Sequence, residues 1–188
     1  MRPFSGVRKM SRVLSLLMAL AGAVAIAACG GGGDEETAIV DGRTITKSQF
    51  ESLKSTLVEF IDAFAEEDWG RVHGLLDAES KQACPRLTFV TNMGTSLGLA
   101  KSILGEQWWR EVVRALREAE DLVRSITWEE LRDDPDALER RLEQRLNEIF
   151  GSSEDESSSG GLEDWRFEDG RARVHWPDAC ESSLSQSD

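Results

Sequence analysis

The sequence predicts an α+β, mainly helical fold with four to six helices and a C-terminal β-hairpin. Apolar residues recur at helical spacing over most of 48–150, while 165–174 alternates apolar and charged residues around an Asp-Gly turn. The 188 residues include 22 basic and 35 acidic ones, a formal net charge of −13. Nucleic acid should repel such a chain, so we expect no nucleic-acid partner. Solubility explains the charge most simply, and capture of cations or basic partners is the alternative.

The first 28 residues are organised like a secretory signal. Four basic residues and no acid lie within 1–12, and Val13–Ala28 is uncharged and mostly apolar. That apolar stretch has about sixteen residues, fewer than the roughly twenty of a membrane-spanning helix. It ends in Ile26-Ala27-Ala28-Cys29, which resembles the lipobox of bacterial lipoproteins.

The lipobox resemblance implies that Cys29 receives a diacylglyceryl thioether, carries palmitate-type acyl chains and becomes the first residue of the mature chain. Two acyl chains anchor a protein stably, so the resemblance implies an extracytoplasmic protein attached to the bacterial cell membrane. Removing residues 1–28 takes away four basic residues and no acid, which leaves 160 residues with a net charge of −17. Residues 29–37 then form a flexible tether before a single domain at 38–180. An ordinary secreted protein with a cysteine near its cleavage site is the alternative.

Assigning Cys29 to the lipid leaves Cys84 and Cys180 as a pair. Exported domains sit in an oxidising compartment, so the pair predicts a disulfide. It would close a loop of about 97 residues, worth roughly 4–5 kcal/mol in the chain-entropy model. Two free thiols or a metal site are the alternatives. We expect no metal site, because the two histidines, His73 and His175, do not have ligand spacing.

The first elements after the tether are a hairpin and a helix. Asp41-Gly42 lies between β-prone runs and predicts a two-residue turn that pairs Val40 with Arg43. Ser48 is the expected N-cap of the first helix, since Glu51 three residues later completes a capping box.

Several further helices are predicted along the chain. Asp68 can cap a short second helix, and a third begins near Pro85 and stops at Gly94. A weaker segment follows at 96–104, then a long amphipathic helix at 106–126. The last helix has Asp134 as its cap and ends at Gly151.

The C-terminal part begins with a low-complexity acidic segment at 152–161, which we expect to be disordered, like the tail at 181–188. Asp169-Gly170 then predicts a hairpin that pairs Trp165 with Val174 on its apolar face.

Two further resemblances concern the mature domain. FIDAFAEEDWGRVHGLLDAESKQACPRLTF and FEDGRARVHWPDAC resemble parts of nuclear-transport-factor-2-like domains of exported lipoproteins, which implies a cone-shaped curved sheet. Some members of that superfamily are isomerases or cyclases with an acid and a histidine in the cone. No such pair stands at matching positions here, so no catalytic residue is assigned. AIVDGRTITKSQFES is similar to the start of parvulin-type foldase lipoproteins, which implies a chaperone-like helical module.

Six tryptophans are many for a chain of this size. Core packing is the simplest interpretation, but adjacent tryptophans on one helix cannot both face one core. We therefore predict an apolar groove between the long helix and the C-terminal hairpin, lined by Trp108, Trp109, Trp165 and Trp176.

We expect the function to be binding. The sequence predicts a lipid-anchored module of the cell envelope, without a cofactor, that binds an envelope protein or a small apolar ligand. A small isomerase or cyclase is the enzymatic alternative. It would need a pocket with a buried carboxylate or histidine, whereas a binding module would show an aromatic groove or an exposed apolar patch.

Overall fold

The computed structural model describes residues 36–40, 43–150 and 164–180. The predicted signal, Cys29, residues 29–35 of the tether, the turn residues 41–42, the acidic segment 152–161 and the tail 181–188 lie outside these residues. The elements, in chain order, are β1 Thr37–Val40, β2 Arg43–Thr46, α1 Lys47–Ala65, α2 Trp69–Gly74, α3 Ala78–Ala83, α4 Arg86–Leu104, α5 Glu106–Ser125, α6 Trp128–Asp133, α7 Pro135–Phe150, β3 Trp165–Glu168 and β4 Arg171–Val174.

The mainly helical α+β class with a C-terminal hairpin is confirmed. The described residues contain seven helices, where the sequence predicted four to six. The predicted stop at Gly94 was wrong, because α4 continues through this residue to Leu104. A glycine inside a helix costs only about 1 kcal/mol relative to alanine, which neighbouring turns can offset. The short helices α3 and α6 were not predicted as separate elements.

The strands form two separate antiparallel pairs, β1–β2 and β3–β4. The predicted pairing of Val40 with Arg43 is confirmed. Since the described strands join into no larger sheet, the likeness to nuclear-transport-factor-2-like domains stays a prediction.

Helix α1 runs through the centre of the core. Its N-cap is Thr46 and not the predicted Ser48: Thr46 Oγ1 accepts from Gln49 N at 3.2 Å, and Gln49 Oε1 accepts from Thr46 N at 3.0 Å. This capping box begins directly where β2 ends, so strand and helix share one residue as boundary. The apolar side chains that α1 buries are Phe50, Leu53, Leu57, Phe60, Ile61, Ala63 and Phe64.

The long helix α5 packs against α1, and α7 packs against α5. Trp109, Leu116 and Val123 make the buried face of α5, as the spacing predicts. Lys54 in α1 donates to the carbonyl of Ile126 at 2.6 Å and so caps the C-terminal end of α5. Leu138, Leu142 and Leu146 form the buried stripe of α7.

The register of the C-terminal hairpin is confirmed, with Trp165 opposite Val174 and Phe167 opposite Ala172. Asp169 and Gly170 both have positive φ, 50° and 73°, as a two-residue turn of the I′ type requires.

Helix α1 covers the hairpin by binding the free edge of β4. Ala172 N donates to Ser52 Oγ at 2.8 Å, and Thr56 Oγ1 donates to Ala172 O at 3.1 Å. Further along, Val174 N donates to Leu75 O, and Val174 O accepts from Asp77 N. The outer edge of β4 is thereby satisfied within the chain at these two residues.

Candidate functional site

The two predicted disulfide residues lie together. Cys84 and Cys180 are joined with their Cα atoms 5.3 Å apart, across a sequence separation of 96. Cys84 ends α3 and is fully buried, and the carbonyl of this residue bonds Nε2 of His73 at 2.9 Å. The link fixes the turn after the hairpin to the junction between α3 and α4.

The four tryptophans of the predicted groove belong to the hydrophobic core or pack against it. Trp109, Trp165 and Trp176 are buried in the core, and Trp108 is half-buried beside Trp109. Trp176 meets the ring of Phe89 edge-on. Among the described residues, no ring contact links the α5 tryptophans to those of the hairpin. A ligand would have to displace core side chains to reach the three buried indoles, and the groove stays a prediction.

The sequence did not predict a second feature, a partly buried aspartate–histidine pair. His175 Nδ1 lies 2.6 Å from Asp77 Oδ2, although the two residues are 98 positions apart. The backbone of His175 continues the hairpin, with His175 N donating to Asp164 O at 2.7 Å. The imidazole instead points to the N-terminal end of α3.

Asp77 is 2% exposed and is the N-cap of α3. Its Oδ1 accepts from Ser80 N at 2.8 Å. Burial acts to raise the pKa of Asp77, but hydrogen bonds from Ser80 and His175 outweigh it, so the pKa lies below the ordinary aspartate value. Asp77 therefore stays ionised and orients the His175 ring.

This arrangement could support proton transfer or a cation. Glu79 adds a carboxylate, and one ligand atom from each of Asp77, Glu79 and His175 lies within 4.8 Å of the others. Both oxygens of Asp77 already accept hydrogen bonds within the chain. Ser80 Oγ also accepts from Trp176 N at 2.6 Å. The main role of the cluster is therefore structural, because its hydrogen bonds connect the hairpin to α3.

A network of charges joins α1, α2 and α5 on another side. Arg117 bonds Asp62 and, at 2.8 Å, Glu120, while Arg71 reaches Asp62 at 2.8 Å. The hydrogen bond from Arg117 outweighs burial and lowers the pKa of Asp62. These pairs are partly exposed and hold the helices in place, and a structural role accounts for them.

The most unusual surface is the outward side of α4. This side, called here the α4 face, carries no charged side chain and consists of Leu87, Thr88, Thr91, Gly94, Thr95, Gly98, Leu99 and Ser102. Leu87 is 80% exposed and Leu99 is 59% exposed. Ile103 and Leu104, in the last turn of α4, are exposed as well. Only Phe89 and Met93 of α4 are buried.

The sequence signal for this face is the absence of acids. Residues 80–105 contain no Asp or Glu, although the chain has 35 acidic residues. The sequence predicted a helix that stops at Gly94 and a weaker segment at 96–104, without an exposed face. Its apolar residues do not form a single helical stripe, so periodicity alone does not separate a buried side from an exposed one.

No family model, curated protein or solved structure matches this chain. Among the described helices, none has both the length and the apolar character needed to cross a membrane.

Proposed function

We propose that this chain is a lipid-anchored extracytoplasmic lipoprotein that serves as a binding module of the cell envelope, with the α4 face as its docking surface. The sequence Ile26-Ala27-Ala28-Cys29 after an apolar segment supports the anchor. A body with net charge −17 after cleavage would be held at the membrane by its acyl chains and not by attraction to anionic lipid.

The exposure of the α4 face is the observation that carries the binding role. Large apolar side chains scattered singly over a surface need no explanation, but here Leu87, Leu99, Ile103 and Leu104 share one helix that lacks acids. Removing them from water on contact with a partner would release about 25 cal/mol for each Å² buried. Nothing among the described residues covers them.

The partly buried Asp77–His175 pair favours a second candidate, the isomerase- or cyclase-like enzyme. A histidine held by an ionised carboxylate is a common general base. The depression lined by Arg140, Glu143, Gln144, Asn147 and Glu148 lies on α7 and does not include the pair. Because both Asp77 oxygens are engaged in the fold, we place this candidate second.

The anchor is tested by replacing Cys29 with serine and fractionating cells. We expect the wild type to incorporate labelled palmitate and to fractionate with membranes, and Cys29→Ser to lose the label and the anchor. Cys180→Ser is the matched control, since it also replaces a cysteine with serine and should keep the label. Palmitate labelling of Cys29→Ser at the wild-type level would disprove lipidation at this residue.

The docking surface is tested separately in intact cells. A photo-cross-linking amino acid in place of Leu99 should form a covalent adduct with a partner. The same amino acid in place of Ser55, which is exposed on α1, should not. If the two positions give the same pattern, the α4 face is not a docking surface.

A further inference from the structure

We infer that the partner of the α4 face is a second copy of this chain, packed antiparallel through α4. This inference rests on the proposed role of the α4 face and names the occupant. Three features of the α4 face support it: glycines that no contact among the described residues requires, an order of large and small side chains that suits an antiparallel copy, and the absence of charge.

Among the residues that the structure describes, no contact requires the two glycines of the α4 face. A Cβ added at Gly98 would meet no atom within 4 Å, and at Gly94 it would make only ordinary contact with the Trp69 ring at 3.9 Å. Neither residue has a positive φ. Each glycine costs the helix about 1 kcal/mol relative to alanine. Glycine at an exposed helical position allows another backbone to approach closely, as small residues do at tight helix contacts.

The order of large and small side chains on the α4 face suits an antiparallel copy of itself. Leu87 is exposed near the N-terminal end, and the small residues Gly94, Gly98 and Ser102 follow toward the C-terminal end. The spacing of Leu87, Thr91, Gly94, Gly98 and Ser102 places them on one side of a helix. In an antiparallel pair whose two-fold axis passes between Gly94 and Thr95, Leu87 of each copy lies over Ser102 of the other. Such an interface buries the same patch on both copies, as two-fold symmetry requires.

Charge favours this occupant over an oppositely charged partner. The chain is strongly negative, so two copies repel each other over most of their surface. The α4 face is uncharged, so copies that meet there do not bring carboxylates together. A basic partner would be drawn to the acidic surfaces elsewhere and would find no acid on this face.

The size of the face predicts a weak, reversible dimer. A helix of 19 residues is about 28 Å long. The area that one such helix buries against its copy belongs to the smallest class of specific interfaces. Interfaces of that class bury less than about 1,200 Å² in total. Two copies tethered to the same membrane surface would meet at a raised effective concentration, which compensates for low affinity.

The experiment uses the full-length chain in intact cells. Thr95→Cys places a thiol beside the proposed two-fold axis on an exposed position. Mild oxidation should yield a disulfide-linked species of twice the chain mass. Ser55→Cys, exposed on α1, is the matched control and should remain a monomer.

A charge exchange tests the antiparallel arrangement. In the Thr95→Cys background, Leu87→Glu should lower the dimer yield about tenfold, because two buried leucines are lost and two acids are introduced. Adding Ser102→Lys should restore the yield, since each introduced glutamate would then face an introduced lysine of the other copy. Within one chain these positions are 15 residues apart on a helix, about 22 Å, so they cannot form a pair. Both residues are exposed, and circular dichroism checks that each variant folds.

The outcomes separate this inference from the proposed function. An adduct at Thr95→Cys with a different protein would overturn the second copy as partner and leave the docking surface standing. A dimer that Ser102→Lys does not restore would overturn the antiparallel arrangement. No adduct at Thr95→Cys, together with no partner at the Leu99 photo-cross-linker, would overturn both.

Discussion

At the residue scale, three aspartates begin helices and only two of them were predicted to do so. Asp68 accepts from Arg71 N at 3.0 Å, and Asp134 accepts from Ala137 N at 3.0 Å. Both roles are visible in the sequence, because a cap needs only the local order of residues. The third, Asp77, also bonds His175, which lies 98 positions away. Local sequence carries no signal for such a contact.

Replacing Asp77 with asparagine should destabilise the protein at neutral pH. The variant loses the charge that binds the His175 ring in a buried site, which costs about 1–3 kcal/mol. Since the folded pKa of Asp77 lies below the usual value near 3.9, its contribution is present above about pH 4 and is lost as the pH falls through the folded pKa. Urea unfolding at pH 7 and at pH 3 measures both effects.

Asp121→Asn is the control for this substitution, because Asp121 is exposed on α5. It should change the free energy of unfolding by less than about 0.5 kcal/mol at either pH. If Asp77→Asn also changes the free energy of unfolding by less than about 0.5 kcal/mol at pH 7, the Asp77–His175 pair does not stabilise the packing of the hairpin on α3.

At the scale of elements, strand pairing was more predictable than the ends of helices. Each Asp-Gly pair predicts its hairpin register correctly, because a two-residue turn fixes which strand residues face each other. The end of α4 was misplaced at Gly94, since glycine interrupts a helix only weakly. The helix stops instead before Gly105, where φ is 87° and ψ is 156°, a region that essentially only glycine adopts.

Alanine at Gly98 and at Gly105 should have opposite effects. Neither glycine has an atom within 4 Å of an added Cβ, so packing does not distinguish them. Gly98→Ala should raise the free energy of unfolding by about 0.5–1 kcal/mol through helix propensity. Gly105→Ala should lower it by about 1–3 kcal/mol through backbone strain. Urea unfolding at low protein concentration measures the folded chain without association.

Two results would contradict this account. A destabilised Gly98→Ala variant would mean that an internal contact requires the glycine. An unchanged Gly105→Ala variant would mean that the α4–α5 corner adopts another backbone conformation.

At the scale of the whole molecule, the C-terminal hairpin is held on a helical body. Ser52 and Thr56 of α1 form hydrogen bonds with the backbone N–H and carbonyl at the edge of β4. The Cys84–Cys180 link holds the turn beyond the hairpin. The apolar faces of α1 and α5 meet, and α7 covers part of α5. The α4 face is left without a cover from the described residues, which is why function is proposed there.

Removing the Cys84–Cys180 link should lower stability without abolishing the helical body. Cys84→Ser with Cys180→Ser should cost about 2–5 kcal/mol, as the loss of a native disulfide typically does. Thermal unfolding followed by circular dichroism measures the loss. Reductant should destabilise the wild type by a similar amount and leave the double variant unchanged. Equal thiol alkylation at Cys84 and Cys180 without reductant would show that the two cysteines do not form a disulfide.

The sequence by itself predicted the mainly helical class, the two hairpin registers and, once the lipobox resemblance sets Cys29 aside, the pairing of Cys84 with Cys180. These features follow from periodicity, turn chemistry and residue counts, which are local or arithmetic properties of the chain. Only the tertiary structure decided that His175 meets Asp77, that three of the four groove tryptophans are buried and that the side of α4 with Leu87 and Leu99 faces water. The physical reason is that burial and long-range contacts depend on which helix faces meet, and a face becomes a surface only when every other element has packed elsewhere.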